Sequence, residues 1–302
     1  MGSKKIALFL LGEKGYSVLE NLSQSNLTSC IEMVIVGKDK NIANDFSKEI
    51  AETCNKRIIP IQGRHEDLTL VKSELWVAIG WRWMIKANRC AKLIVLHDSL
   101  LPKYRGFAPL VNQLINGEKK LGVTALIANE EFDRGPILLQ EEITVSYPLK
   151  IQQAIALIAP LYRNIVKEVV SSYIAEGKLI EREQNEGDAT YSLWRDDNDY
   201  EIDWNCSSKR IKRFIDAVGY PYKGAKTVID GEEIIIKEAE TVEDVKIENR
   251  NPGKVLFMSI DKPIVVCGTG LLKITEAEFL SKKQSVFPLK RYRSRFGRQR
   301  SQ

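Results

Sequence analysis

The stretch that decides the fold is AKLIVLHDSLLPKYRG, residues 91–106. Its first seven residues are mostly apolar, which is typical of a short buried strand. His97, one of only two histidines in the chain, closes that run, and a Pro, two basic residues and a Gly follow as in a loop. The pattern has two interpretations: a strand end followed by an ordinary turn, or a catalytic loop at the carboxyl edge of a sheet.

Apolar runs of the same kind precede this stretch and alternate with segments of helical spacing. The runs are KKIALFLLG (4–12), IEMVIVGKD (31–39), RIIPIQG (57–63) and SELWVAIGW (73–81), and the helical segments are 13–25 and 41–56. This alternation predicts an α/β fold whose mostly parallel sheet is covered on both faces. Ligands of such sheets bind beyond the carboxyl ends of the strands, where Gly80 and His97 are expected. The sequence has no GxGxxG motif, so it does not indicate a dinucleotide site.

The rest of the chain predicts more α/β structure and then a small β-domain. A helix is expected over 108–117, strands over 121–130 and 136–145, and a long amphipathic helix over 150–177 with a kink or a break at Pro160. From about residue 205 a Ser-capped helix and five short strands with tight turns follow, which favours a barrel. The expected domains are a catalytic domain (1–185), a linker and acceptor-facing segment (186–204), a C-terminal helix plus β-domain (205–289) and a basic tail (290–302).

Composition limits the cellular setting. The five cysteines are scattered and form no CxxC pair, so neither a disulfide framework nor a zinc site is indicated, and no metal is expected. A reducing cytoplasm fits this cysteine usage. No apolar run approaches 18 residues, so we expect no membrane span. The first apolar stretch lacks a small-residue cleavage site and is interpreted as a strand rather than a signal peptide.

The net charge of +5 comes from the end of the chain. The segment KRYRSRFGRQR (290–300) carries six basic residues and no acid, so subtracting six from +5 leaves −1 for the rest. Such a tail is typical of a solvated or disordered end, and less often it contacts nucleic acid or phosphate. The nearly neutral body argues against a nucleic-acid partner.

Several side chains near the predicted sheet edge are suited to chemistry. Imidazole is well matched to proton transfer near neutral pH, and a carboxylate such as Asp133 in the turn EFDRG could fix the tautomer of His97 and stabilise its charge. Lys103 and Arg105 could bind a phosphate or carboxylate, or could simply face solvent. The stretch GWRWMI (80–85) surrounds an Arg with two Trp rings, which suits a flat heterocycle but is equally typical of core packing.

These motifs, in this order, resemble the folate-dependent formyltransferases. The matching pattern is H-x-SLLP-x-x-x-G at 97–106, then ING and GVT, then D-x-G-x-I beginning at Asp133. DATYSLWRDDNDYEIDW (188–204) is similar to the segment that joins the two domains in the methionyl-tRNA and nucleotide-sugar branches. The resemblance covers the whole chain and implies a Rossmann-like catalytic domain.

The resemblance also implies the reaction, the donor and the site residues. N10-formyltetrahydrofolate would give its formyl group to a primary amine, with His97 and Asp133 as catalytic residues. The residues implied to bind this cofactor lie after the fourth apolar run and in the loop: Gly80, Trp81, Arg82, Trp83, Met84, Ile85 and Leu101. The residues implied to bind the acceptor lie in the loop and the joining segment: Ser99, Lys103, Arg105, Gly106, Tyr191, Trp194 and Arg195.

The chain departs from the family pattern at two positions. The family places an Asn two residues before its His, and here that residue is Val95. An Asn would donate a hydrogen bond to the developing oxyanion, and losing one such donor typically costs about 10²–10³ in rate. Either His97 or a backbone N–H carries the oxyanion, or the chain is a slow or inactive relative. Asp98 stands where the family usually has a small residue or Pro, and it either holds the loop or stabilises the charge of His97.

Three functions are therefore weighed. The first is an N-formyltransferase acting on a nucleotide-linked amino sugar, such as a UDP- or dTDP-4-amino-4,6-dideoxy sugar. The second is methionyl-tRNA formyltransferase, and the third is a non-catalytic folate- or nucleotide-binding relative. The acidic segment WRDDNDYEIDW (194–204) would repel an RNA backbone, which favours the first. Exposed strands in the β-domain would permit a homodimer.

Overall fold

The computed structural model describes residues 4–85 and 91–297. The chain divides into two compact units. Within the described ranges, the first unit comprises the residues up to 110 together with 119–145 and 153–193, and the second comprises 111–118, 146–152 and the residues from 194 onward. Cys90, one of the five cysteines, lies outside the described residues.

The first unit is built on a seven-stranded sheet. Its strands, in chain order, are β1 (Ile6–Leu10), β2 (Ile31–Val36), β3 (Ile61–Gly63), β4 (Leu75–Ile79), β5 (Lys92–His97), β7 (Lys120–Ile127) and β8 (Ile137–Thr144). A separate short parallel pair is formed by β6 (Arg105–Gly106) and β9 (Tyr191–Ser192). Six of these seven strands lie within the segments that the sequence predicts as strands, and β7 begins one residue before its predicted segment, 121–130.

The sheet has the spatial order β3-β2-β1-β4-β5-β7-β8. The strands from β3 to β5 pair in parallel, whereas β5 pairs with β7 and β7 with β8 in antiparallel fashion. Every residue of β1 and β4 is buried, as expected for central parallel strands covered on both faces. The predicted mostly parallel α/β sheet is therefore confirmed. Its β5 ends at His97, so this histidine lies at the carboxyl edge.

The helices α1 (Gly12–Ser23), α2 (Ser47–Arg57), α3 (Pro109–Asn116) and α4 (Ile151–Glu176) follow the predicted order. The expectation that helix begins at residue 41 is wrong, because α2 starts six residues later. Phe46 has a left-handed φ of 56°, and the Asp45 carboxylate accepts hydrogen bonds from the N–H groups of Ser47 and Asp39. These contacts cap the helix and prevent its extension backward.

The long helix α4 runs through Pro160 without interruption, so the alternative of a break is wrong. Proline removes one backbone hydrogen bond within a helix and crowds the carbonyl four residues earlier. The apolar face of the helix is buried on both sides of Pro160, at Ile155 and Ile158 before it and at Tyr162 and Ile165 after it. Packing of that face stabilises the helix across the missing bond. No helix among the described residues is long and apolar enough to cross a bilayer.

The second unit contains α5 (Ser208–Val218) and an antiparallel sheet. Ser207 caps α5 as the sequence predicts, because its side chain accepts a hydrogen bond from Arg210 N. The sheet has the order β10-β11-β14-β13-β12. Its strands are β10 (Ala225–Ile229), β11 (Glu232–Val242), β12 (Val255–Ser259), β13 (Lys262–Val266) and β14 (Leu271–Phe279). The predicted small β-domain is confirmed, and the structure shows that its sheet is antiparallel.

The segment 294–297 lies between the two edge strands of this sheet and gives it a barrel-like closure. Gly297 N donates to Val228 O of β10 at 2.8 Å, and Val255 N of β12 donates to Ser294 O at 3.2 Å. Ser294 and Phe296 are buried, whereas Arg291 and Arg293 are exposed. The expectation of a solvated basic tail from residue 290 is therefore wrong for this segment. Its alternation of inward and outward side chains is that of a strand, with the basic residues facing outward.

Replacing Phe296 by alanine is expected to destabilise the second unit. Phe296 is buried, and its ring centroid lies 5.5 Å from that of Trp204. Truncating a buried Phe typically costs about 3–5 kcal/mol of unfolding free energy. Chemical denaturation checks this, with the exposed Arg293→Ala as the control, which should change the stability by less than about 0.5 kcal/mol. Equal denaturation midpoints for Phe296→Ala and the wild type would show that the closing segment adds nothing.

Candidate active site

His97 has a hydrogen-bond partner or an ion-pair partner on each ring nitrogen. Its side chain is buried at the end of β5, and its Nε2 lies 2.8 Å from the backbone carbonyl oxygen of Tyr104. Its Nδ1 lies 3.5 Å from Oδ2 of Asp133. The structure therefore brings together the two residues that the sequence analysis selected for catalysis, which are 36 positions apart in the chain.

These two contacts indicate which protons the imidazole carries. A carbonyl oxygen only accepts, so Nε2 must carry a hydrogen toward Tyr104. In the neutral ring Nδ1 would then direct its lone pair at the Asp133 carboxylate. In the imidazolium form both N–H groups face an acceptor. The site thus places one acceptor opposite each ring nitrogen of His97.

Asp133 is held in a conformation that few residues adopt. Its φ is 56°, in the left-handed region, which Asp tolerates better than most non-glycine residues. The N–H of Gly106 donates to its Oδ2 at 2.7 Å. Gly135, two residues later, admits no side chain, because a Cβ there would lie 1.7 Å from the carbonyl oxygen of Ile127. The turn EFDRG is thus shaped so that the carboxylate points at His97.

The loop between His97 and β6 is fixed by internal hydrogen bonds. Ser99 is fully buried, and its hydroxyl donates to Lys103 O at 2.6 Å. Thr124 of β7 accepts from Leu101 N and donates to Ser99 O. The side chain of Ser99, expected to bind the acceptor, is thereby committed to the loop itself, and Leu101 packs in an apolar cluster. Lys103 is exposed.

Arg105 is not a loop cation in solvent, as one interpretation of the sequence allowed, because its side chain is completely buried. Its guanidinium donates to Oε1 of Gln184 and to both carboxylate oxygens of Glu186, at distances between 2.7 and 3.1 Å. The bond to Glu186 raises the pKa of Arg105, and the same bond lowers the pKa of Glu186 to about 2. Both groups are therefore charged at neutral pH. The expected phosphate-binding donor instead ties the loop to the segment 184–192.

Asp98 contacts two helices of the first unit. Its carboxylate accepts from Lys14 Nζ of α1 at 2.5 Å and from the hydroxyl of Tyr162 of α4. Burial opposes the negative charge of Asp98, but Lys14 and Tyr162 outweigh it, so its pKa lies below the usual value. These contacts hold the loop, and the electrostatic interaction of Asp98 with His97 supports the second interpretation as well.

The stretch 80–85 covers one face of the sheet. Gly80 has a φ of 64°, and a Cβ there would lie 2.5 Å from the carbonyl oxygen of Leu11, so the chain can turn here only with glycine. The rings of Trp81 and Trp83 meet edge to face with centroids 5.2 Å apart. Trp81 and Ile85 pack against the apolar cluster formed around Phe9 and Trp76.

The polar groups of this stretch are partly engaged. Arg82 pairs with Asp39 at 2.5 Å, and the guanidinium of Arg64 lies 4.1 Å from the ring centroid of Trp83. Trp81 Nε1 is buried and has no acceptor among the described residues, so it is a donor available to a ligand. Met84 is 76% exposed. Most side chains of this stretch thus serve as core, apart from the exposed Met84 and the unpartnered Nε1 of Trp81.

Exposed aromatic rings flank the His97–Asp133 pair. Phe107 follows Gly106 and Phe132 precedes Asp133; the two rings are 47% and 61% exposed, with centroids 6.0 Å apart. Tyr191 is 63% exposed, and its hydroxyl accepts a hydrogen bond from Arg105 at 3.4 Å. Large exposed rings close together are unusual unless they bind something. Sequence analysis selected Tyr191 but missed both Phe residues, whose only signal was adjacency to the motifs.

Trp194 and Arg195 belong to the second unit. Trp194 is exposed, whereas Arg195 donates to Asn112 Oδ1 and to Asp199 O, both at 2.9 Å. The Nε of Arg195 is buried without an acceptor among the described residues. Arg195 is therefore fixed mainly by its own unit.

Val95 occupies the place of the family Asn on β5. It packs against two apolar clusters, one that contains Trp76 and Ala78 and another that contains Leu101 and Leu126. Its partly exposed side chain thus has apolar neighbours on both sides. The valine is consistent with its packing, and the oxyanion donor that the family pattern implies is missing at this position.

Other reactive groups do not contribute to this edge. Burial raises the pKa of the Cys54 and Cys267 thiols to about 12, so both stay protonated at neutral pH. All four cysteines among residues 4–85 and 91–297 are free. The same residues contain no group of three His, Cys, Asp or Glu side chains placed to hold a metal ion.

Comparison with known proteins shows the class of this chain. The formyl transferase family model matches residues 4–156, and the model of the formyl transferase C-terminal domain matches residues 195–287. The chain belongs to the formyl transferase family. The resemblance inferred from residues 97–135 is thereby confirmed.

Relatives and solved structures bear different names. A methionyl-tRNA formyltransferase of Caldanaerobacter subterraneus subsp. tengcongensis is 36% identical over 61% of this chain and 58% of its own length, which is less than two thirds. One from Lactococcus lactis subsp. lactis is 30% identical over 85% of each chain. The crystal structure of WlaRD, a sugar 3N-formyl transferase in the presence of dTDP and 5-N-formyl-THF, has a TM-score of 0.66 at 18% identity, covering 93% of this chain and 100% of that one.

Proposed function

We propose that this chain transfers a formyl group from N10-formyltetrahydrofolate to the primary amine of a nucleotide-linked amino sugar. The observation that carries the proposal is the contact of His97 with Asp133, whose carboxylate is also held by the Gly106 N–H, at the carboxyl edge of the sheet. Family membership supports the reaction class. The charge balance and the exposed aromatic rings support this acceptor.

The two side chains divide the work of the transfer. The amine must lose a proton as its nitrogen bonds to the formyl carbon, and the Asp133 carboxylate accepts that proton. A positively charged His97 stabilises the negative charge that develops on the formyl oxygen. Asp133 would then return the accepted proton to the folate nitrogen as the bond between that nitrogen and the formyl carbon breaks, so the transfer balances. Burial of His97 keeps the charge effective, because little water screens it.

The formyl donor is assigned to the stretch 80–85 and Leu101. The folate supplies the activated formyl group when bound. The buried, unsatisfied Nε1 of Trp81 supports this assignment, because it offers a donor to a polar ring edge. Met84 offers an exposed apolar side chain beside it in the chain.

The acceptor is assigned to the side of Phe107, Phe132 and Tyr191. Exposed aromatic rings stack on the flat base of a nucleotide. The chain apart from 290–300 has a net charge of −1, and the segment 194–204 carries five acids and one Arg. Such a balance suits a small nucleotide-linked sugar better than a long polyanion. A sugar 3N-formyl transferase shares the fold of this chain, which is compatible with such an acceptor.

Methionyl-tRNA formyltransferase is the second candidate. The names of the sequence relatives favour it. The residues just before the closing segment favour it too, because Lys290, Arg291 and Arg293 are exposed. A non-catalytic folate- or nucleotide-binding relative is the third candidate, and it rests on Val95.

A panel assay separates the three candidates. The protein is offered N10-formyltetrahydrofolate with UDP- and dTDP-amino sugars and, in parallel, with methionyl-tRNA, and formylated product is detected by mass. We expect product with an amino-sugar nucleotide. Product only with methionyl-tRNA would overturn the proposal and identify the chain as a methionyl-tRNA formyltransferase. Folate binding without any product would favour the non-catalytic relative.

Restoring the family residue with Val95→Asn is expected to raise kcat at a cost in stability. An added amide donor could recover part of the roughly 10²–10³-fold that a missing oxyanion donor costs. The amide would lie in apolar surroundings, which typically costs about 1–3 kcal/mol. Single-turnover assays and thermal unfolding measure both effects. Val95→Ala is the control, since it loosens the packing without adding a donor; if it changed kcat as much as Val95→Asn, the donor argument would fail.

A further inference from the structure

Asp133 needs support from outside its own turn. Its left-handed backbone is costly for a residue other than glycine, and such conformations persist where neighbours hold them. The support comes from Gln184, in the segment after α4. Gln184 Nε2 donates to the backbone oxygen of Asp133 at 2.8 Å and to that of Gly135 at 2.7 Å. One amide group therefore bridges both sides of the turn.

The orientation of that amide is fixed by Arg105. Gln184 Oε1 accepts from Arg105 Nε at 3.1 Å and from Nη2 at 2.8 Å. Reversing the amide would place its N–H groups against the guanidinium donors and its oxygen against two carbonyl oxygens. Arg105 is itself completely buried and paired with Glu186, so it cannot easily move away.

We propose that Gln184 is a positioning residue, which holds the main chain of Asp133 so that the carboxylate meets His97, and that Arg105 fixes Gln184 in turn. This proposal rests on the proposed function, in which Asp133 accepts the amine proton. Asp133 is gripped at two points, at its carbonyl by Gln184 and at its Oδ2 by the N–H of Gly106. Both hydrogen bonds depend on Arg105. Gly106 follows Arg105 directly in the chain, and Gln184 is hydrogen-bonded to the Arg105 side chain.

The rate of transfer should therefore depend on Gln184. Gln184→Met keeps the length of the side chain and removes both donors. Displacing a reacting group by about 1 Å can cost roughly 10²-fold in rate, so we expect kcat to fall by about 10–100-fold. KM for donor and acceptor should change by less than about twofold, because Gln184 binds neither. Gln184→Glu, which keeps the acceptor for Arg105 but loses the donors, should lower kcat similarly.

The neighbouring Asn185 provides a matched control. It is exposed, its Oδ1 accepts from Gly187 N, and its amide contacts Asp188, so it orders the same segment without touching Asp133. Asn185→Ala should leave kcat unchanged. A fall as large as that of Gln184→Met would mean that general loosening of the segment, and not the grip on Asp133, governs the rate, which would overturn the proposal.

A double-mutant cycle separates positioning from a merely structural role. In the Asp133→Asn background the carboxylate is gone, so adding Gln184→Met should change kcat by less than about twofold. A side chain that only stabilised the fold would lower the activity by the same factor in both backgrounds.

An activity-independent readout is the hydrogen exchange of the Gly106 amide, whose acceptor is Asp133 Oδ2. We expect exchange at least about tenfold faster in Gln184→Met, because the carboxylate leaves its place, and unchanged exchange in Asn185→Ala. Unchanged exchange in Gln184→Met would overturn the proposal. If the wild type transferred formyl to no acceptor, the proposed function would fail, while this exchange experiment would still decide whether Gln184 positions Asp133.

Discussion

Replacing His97 by alanine is expected to lower kcat/KM for formyl transfer by about 10²–10⁴-fold, the usual contribution of a positioned acid–base side chain. The imidazole is buried at the carboxyl end of β5 and lies between the Tyr104 carbonyl oxygen and the Asp133 carboxylate. Alanine removes the positive charge proposed to stabilise the formyl oxygen. It also leaves Asp133 without its counter-ion. Steady-state kinetics with the acceptor identified by the panel assay measures the loss.

The other histidine of the chain is the control for this experiment. His65 is exposed, so His65→Ala should retain the wild-type rate. Circular dichroism should show both variants folded. Full activity in His97→Ala would remove His97 from the mechanism and with it the proposed division of roles.

Replacing Asp133 by asparagine is the second large effect, again about 10²–10⁴-fold in kcat. Asparagine is a better probe than alanine here, because it tolerates the left-handed φ of 56° and its oxygen can still accept from Gly106 N. The variant therefore removes the negative charge and the proton acceptor while keeping the turn. A rate loss then reports on chemistry rather than on strain.

Asp230 offers a matched control in the second unit. It too has a left-handed φ, of 50°, and it lies in the turn between β10 and β11. Asp230→Asn should leave both the rate and the fold unchanged. If Asp133→Asn were equally silent, the proton acceptor would have to be another group, and the proposed mechanism would be wrong.

Much of the fold was readable from local patterns. Near-continuous apolar runs predicted the strands, and a Ser before a helical segment predicted the start of α5. The start of α2 could not be predicted from the sequence. Asp45 and the left-handed Phe46 fix where this helix begins, and they do so through local contacts that leave no mark on the apolar periodicity. The uninterrupted passage of α4 through Pro160 depends on buried residues on both sides of it.

The same division holds at the site. His97 was identifiable from its place at the end of an apolar run and from the family motif. The fate of Arg105 was not, because its partners Gln184 and Glu186 lie 79 and 81 positions further along the chain. The basic residues of 290–297 predicted a solvated end of the chain. In the structure Ser294 and Phe296 of this segment are buried in the second unit.

By itself the sequence determined the order of strands and helices, the family, and the choice of His97 and Asp133 as candidate catalytic residues. The element order follows from local periodicity, and the family and the two residues follow from motifs. Only the tertiary structure decided that the two side chains meet, that Arg105 is a buried anchor and that Gln184 holds the turn of Asp133. Those facts depend on which distant segments the sheet brings together and on the need to satisfy every buried polar group. A linear pattern contains neither piece of information.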